Sequence, residues 1–151
     1  MAESVAARLM KLDREKLAVV PTKKFKAERL SEVAGEDIYV TLKAISGDQY
    51  ASLSDRSLDK GKVSGERAYD TQALIVAYGC ADPDLRDKEL QAYYKAASPK
   101  ELAKKLFPGG ELSTMSNRIS VLSGFLKAED VGEEDDEEDN GTGLEYEDVK
   151  N

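Results

Sequence analysis

The side chains able to do covalent or acid–base work are few: the 151-residue chain has no His and a single cysteine, Cys80. A Ser-His-Asp or Cys-His pair therefore cannot form, nor can a His-ligated zinc, and one thiolate cannot build a structural zinc site. Carboxylate, lysine or tyrosine chemistry stays open in principle, yet these groups fall into no recognisable constellation. Arg86 and Glu89 are opposite charges at i, i+3, the spacing of a solvated helix face. Cys80 ends an apolar helical run with no second thiol near it, which predicts a buried, inert side chain. Around Gly61 and Gly65 the order of a phosphate-binding loop, with Gly-Lys-Ser/Thr at its end, is absent. The reading is a binding protein with no catalytic residue, no cofactor and no metal.

One metal pattern has to be weighed. Asp136, Glu138, Asn140, Gly141 and Glu147 stand at positions 1, 3, 5, 6 and 12 of a calcium loop. Position 3 is Glu, position 8 is Gly143 where an apolar residue normally packs, and no amphipathic helix flanks the stretch. The seven consecutive acids Glu133 to Asp139 meet such a pattern through composition alone, so a solvated tail is the default.

Charge divides the chain. The whole carries 22 Lys+Arg and 30 Asp+Glu, a formal −8, but twelve acids follow Ala128 and only Lys150 opposes them. Residues 129–151 thus hold −11 and residues 1–128 hold +3. The acidity belongs to an appendage with little to bury, and the expectation is a disordered acidic tail over 129–151 behind a folded domain at 23–128. No apolar run approaches the roughly 20 residues of a bilayer crossing. Charges from Glu3 to Lys16 interrupt any signal-peptide core, so a reduced, cytosolic, monomeric protein is expected.

Several elements must position whatever surface binds. Val5, Leu9 and Leu12 give residues 4–17 a thin helical stripe, ending before Pro21; residues 1–22 read as an N-terminal helix that is either loosely docked, the preferred reading, or in need of a partner. Lys23 to Leu30 and Asp37 to Ala44 alternate like strands of an antiparallel hairpin with a loop at Ser31–Glu36. Lys23, Lys24, Lys26 and Arg29 make it locally basic, but +3 over the folded part is a weak footprint for nucleic acid, which is not expected to bind. Ser46 with Gln49 opens a short helix ending around Leu53 to Arg56, and Ser57 to Gly65 reads as a mobile loop.

From Ala68 the reading is helical: Leu74, Ile75, Tyr78 and Ala81 line one face, and Asp82-Pro83 opens a second helix bearing Leu90, Tyr93, Tyr94 and Ala97, with both tyrosines as core residues. Ser98-Pro99-Lys100-Glu101 is a capping box starting a third helix that carries Leu102, Leu106 and Phe107 to Pro108-Gly109-Gly110. The last helix spans about Glu111 to Leu126, with Leu112, Met115, Ile119, Leu122 and Leu126 as its packing seam. The fold class is α+β, mainly α: an N-terminal helix and β-hairpin packed with a bundle of about four helices, then the tail.

Ala81-Asp82-Pro83-Asp84-Leu85, Leu106-Phe107-Pro108-Gly109-Gly110-Glu111 and Ile119-Ser120-Val121-Leu122-Ser123-Gly124-Phe125, following a basic strand pair, resemble the XkdN-like family of phage tail assembly chaperones over roughly Lys23 to Phe125. The two glycines before Glu111 and the acidic tail depart from that pattern. The resemblance implies a non-enzymatic protein of the bacterial host cytoplasm, absent from the mature virion, that keeps the tape-measure protein soluble and helps recruit tail tube subunits. It implies no binding residues. The residues themselves suggest Leu106, Phe107, Leu122 and Phe125, which surround the least regular helix junction, as partner-binding candidates, with ordinary core as the plainer reading. The competing class is an acidic regulatory or nucleic-acid-mimicking protein acting through 129–151.

Overall fold

The computed structural model describes residues 3–55, 58–59, 62–63 and 65–131. Alternating burial organises its sheet. Strand β1 (Thr22–Lys26) buries Lys23 and Phe25, and β2 (Tyr39–Lys43) buries Val40 and Leu42. They pair antiparallel in the register Lys23↔Leu42 and Phe25↔Val40.

The connection is not the predicted loop, and β1 stops before Leu30. Ala27 is the last residue to reach across, donating its N–H to Ile38 O at 2.9 Å. The chain then forms α3 (Glu28–Ala34), which ends at Gly35 in the left-handed region, φ 76°. Two side chains hold this turn of helix. The Ser31 hydroxyl accepts from Ile38 N at 2.8 Å, and Glu111 Oε2, 83 residues away, accepts from Glu28 N at 2.8 Å. Ala27 cannot cap its own helix, so a carboxylate from another element takes that part.

A third strand escapes the sequence pattern. After α4 (Gly47–Asp55), whose first turn is held by Gln49 N donating to Ser46 Oγ at 3.1 Å, comes a short antiparallel pair, β3 (Leu58–Asp59) with β4 (Lys62–Val63), where a loop is expected; residues 56, 57, 60, 61 and 64 lie outside the described ones. Helix α5 (Gly65–Gly79) then runs straight into β5 (Cys80–Asp82), which adds to the other side of β2, giving the antiparallel order β1-β2-β5. Because Asp82 pairs with Thr41, it does not cap the next helix, and the Asp82–Pro83 peptide is cis. The capping residue is Asp87, whose carboxylate accepts from Glu89 N at 2.9 Å and opens α6 (Lys88–Tyr93). That helix is too short to carry an i to i+7 stripe. Its buried position is Gln91, whose amide donates to Leu85 O at 2.8 Å. Tyr93 and Tyr94, expected in the core, are instead 77% and 42% exposed.

The capping box at Ser98 opens α7 (Pro99–Leu106): Ser98 Oγ accepts from Glu101 N at 3.2 Å, while the Glu101 carboxylate reaches Ala97 N at 3.3 Å, one residue ahead of the usual reciprocal partner. Helix α8 (Gly110–Leu122) buries Leu112, Met115 and Ile119 but stops four residues short of Leu126. Gly124 turns left-handed at φ 85°, and Phe125 N bonds back to Ser120 O at 2.9 Å. A 3-10 turn, Ala128–Val131, follows. Helices α7 and α8 both pack on α5, and the sheet closes the remaining side, so that Phe25, Val40, Leu42, Val76, Leu85, Leu102, Phe107 and Ile119 share one core. The fold is mainly helical with a small antiparallel sheet, as the sequence predicts. The calcium-pattern residues, and the tail expectation from residue 132 on, lie outside the described residues.

Candidate protein-binding surface

The N-terminal arm is two short helices rather than one: α1 (Val5–Leu9), with Ser4 Oγ accepting from Ala7 N at 3.1 Å, and α2 (Arg14–Leu17), with the Asp13 carboxylate accepting from Glu15 N at 2.9 Å. A turn at Met10–Leu12 separates them because the Asp13 cap restarts the helix. Neither helix buries a residue. Val5, Leu9, Met10, Leu12, Leu17, Val19 and Val20 are all at least half exposed, from 50% at Val20 to 85% at Met10. Among the described residues, most of the large apolar side chains left uncovered therefore sit in sixteen consecutive residues.

Of the four candidate residues at the helix junction, Phe107 is fully buried and Leu106 nearly so, within the common core. Leu122 is partly buried against that core at the last turn of α8. Phe125 is 45% exposed and lies flat on Tyr50, ring centroids 4.0 Å apart and 6° from parallel. The structure brings Leu122 and Phe125 to the surface end of α8 and sets Leu106 and Phe107 inside. Beneath them Ser123 ties the end together, its hydroxyl donating to Ile119 O at 2.7 Å and accepting from Ile45 N at 2.9 Å. The arm was legible as a thin stripe; the exposure of Tyr93 and Tyr94, packed edge to face at 5.0 Å, had no signal in spacing.

Two carboxylates tie elements of this body together. Asp70 on α5 receives Lys104 and, at 3.6 Å, Lys100, both from α7. The Lys104 hydrogen bond, more than offsetting partial burial, pulls the Asp70 carboxyl below 3.8. Glu111 goes the other way: burial raises it above 4.5 against the backbone N–H groups of Glu28 and Arg29. Burial also pushes the Cys80 thiol up to about 12, which leaves it protonated and inert at neutral pH. Among the described residues no group of three or more Cys, Asp or Glu side chains is placed to hold a metal ion, and no helix is long and apolar enough to cross a membrane.

The mainly helical body thus leaves one apolar arm uncovered. Residues 7–139 match the family model of the phage XkdN-like tail assembly chaperones, and the chain belongs to that family. No curated protein matches it. The crystal structure of a protein named yqbn is similar in fold, with a TM-score of 0.51 and 23% identity over 72% of this chain and 90% of that one.

Proposed function

We propose that the chain binds an apolar, helix-forming segment of the tape-measure protein during tail assembly, keeps it soluble, and helps bring tail tube subunits to it. It acts as a monomer in the bacterial host cytoplasm, without catalysis, and is not retained in the mature virion. Membership of the tail assembly chaperone family supports this reading. The observation that carries it is the arm: seven large apolar side chains between Val5 and Val20 exposed beside a core that buries its own. Covering one such side chain is worth about 1.5–3 kcal/mol, so a partner that takes up two or three gains a strong driving force. Leu122 and Phe125, at the C-terminal end of α8, form the second contact we assign, while Leu106 and Phe107, which precede the other end of α8, belong to the core.

Co-expression tests the proposal. The tape-measure protein should become soluble with the intact chain and stay insoluble with a Leu9→Asp/Leu17→Asp variant that is itself folded. Equal solubilisation by both would remove the arm from the account. Loss of binding on deleting 129–151 alone, with binding sensitive to salt, would instead favour an acidic mimic.

A further inference from the structure

The arm carries charge beside its apolar surface, and part of that charge is already matched. Lys11 pairs with Glu3, and the Asp13 carboxylate is taken up by the backbone N–H of Glu15 as the cap of α2, at 2.9 Å. Of the rest, position along the helix decides which charges border the apolar side chains. Arg8 stands three residues after Val5 in α1, and Arg14 three before Leu17 in α2, the spacing at which helix neighbours meet. Glu15 and Lys16 stand two residues and one before Leu17, spacings that turn them away from it. Arg8 and Arg14 are both exposed, and among the described residues neither forms an ion pair. The margin of the uncovered apolar surface is therefore marked by two guanidinium groups.

Taking the arm as the client surface, as proposed above, we infer that the segment it binds is an amphipathic helix whose apolar stripe is edged by carboxylates, one for Arg8 and one for Arg14. Apolar burial has no direction, so leucines alone leave the register of such a helix open. A guanidinium holds a carboxylate through two parallel hydrogen bonds in a fixed plane, and two of them at the rim set register and orientation. An anionic bilayer offers the same charge, but its recognition takes clusters of roughly four to eight Lys and Arg. In the arm Arg8, Lys11, Arg14 and Lys16 are offset by Glu3, Asp13 and Glu15, which suits a protein helix instead.

Two synthetic helical peptides with the same leucine stripe, one flanked by Glu and one by Gln, test this against the full chain. At 0.1 M salt the Glu-flanked peptide should bind about fivefold tighter, and at 1 M the two should agree within about twofold, because exposed ion pairs are individually weak and are screened. The chain's formal −8 works against the acidic peptide, so a preference for it reports the two arginines and not the overall field. An Arg8→Gln/Arg14→Gln variant, altered only in helices that bury no residue, should bind both peptides equally. Equal binding of the two peptides by the natural chain at 0.1 M salt, or an undiminished preference in that variant, overturns the inference. So does tighter binding to phosphatidylserine vesicles than to either peptide, lost in the same variant. Failure of the arm itself as the contact looks different: the natural chain binds neither peptide, or a Leu9→Asp/Leu17→Asp variant binds both as tightly as the natural chain does.

Discussion

Gly79 lies directly beneath Ile119: a Cβ placed on Gly79 would come within 2.6 Å of Ile119 Cδ1 and 2.7 Å of its Cγ2. This contact sets how closely α5 approaches α8, and it stands one residue before the chain leaves α5 for β5. Helix, helix and sheet meet there, so the absence of a side chain at 79 is a requirement of packing.

Gly79→Ala should therefore destabilise the domain despite alanine's better helix propensity. Overpacking of this kind costs about 1–3 kcal/mol. Ile119→Val removes the Cδ1 methyl, so the double variant should lose less than the sum of the two single ones. Urea denaturation of the four proteins measures that coupling.

Phe107 and Phe125, both candidate binding residues on sequence, should separate in experiment. Phe107→Ala empties a fully buried site and should cost about 3–5 kcal/mol. Phe125→Ala removes a half-exposed ring stacked on Tyr50, a contact worth about 0.5–1.5 kcal/mol beyond its buried area. Thermal melts of both variants, with client binding measured on Phe125→Ala, tell core from surface: the second should weaken binding more than stability.

Two carboxylates give opposite acid responses. Asp70 titrates below 3.8 in the folded state because Lys104 hydrogen-bonds it, so its stabilisation is present above that value and is lost as pH falls through the lowered one. Glu111 is raised by burial, so its contribution is fully present below 4.5 and is lost as pH rises through the raised value. Asp70→Asn should flatten the acid limb of the stability curve, and Glu111→Gln should flatten the region just above 4.5. Denaturation midpoints between pH 2.5 and 7 check both signs.

The thiol of Cys80 should be silent until the fold opens. With its ionisation pushed up to about 12 by burial, a disulfide reagent at pH 8 should label it only at the unfolding rate. Labelling with and without urea measures this, and prompt reaction in the native protein would contradict the burial.

Much of the fold was legible where a local signal and the tertiary structure agree. Ser46, Ser98 and the Leu112–Met115–Ile119 stripe mark helices that form where expected. The signals fail where a distant group decides. Ala27 to Leu30 alternates like a strand, yet Ser31 and Glu111 hold α3 through bonds to Ile38 and Glu28. The Cys80–Asp82 strand is three residues long and owes its existence to β2, so no periodicity could show it. Tyr93 and Tyr94 fit a helical stripe on paper, but Asp87 starts α6 late and the stripe has no room to develop. On the surface, the thin stripe of the arm was readable, whereas the junction residues needed the structure: spacing cannot distinguish Phe107 inside from Phe125 outside.

The most direct measurement is the affinity of the intact chain for an apolar, helix-forming tape-measure segment, at 0.1 M and 1 M salt, beside a folded Leu9→Asp/Leu12→Asp/Leu17→Asp variant. Apolar burial is little screened, so affinity should change by no more than a few-fold between the two salts, and the variant should bind at least about tenfold more weakly, since each tenfold is about 1.4 kcal/mol and one buried leucine exceeds that. Undiminished binding by the variant, or affinity that collapses at 1 M salt, would contradict the account.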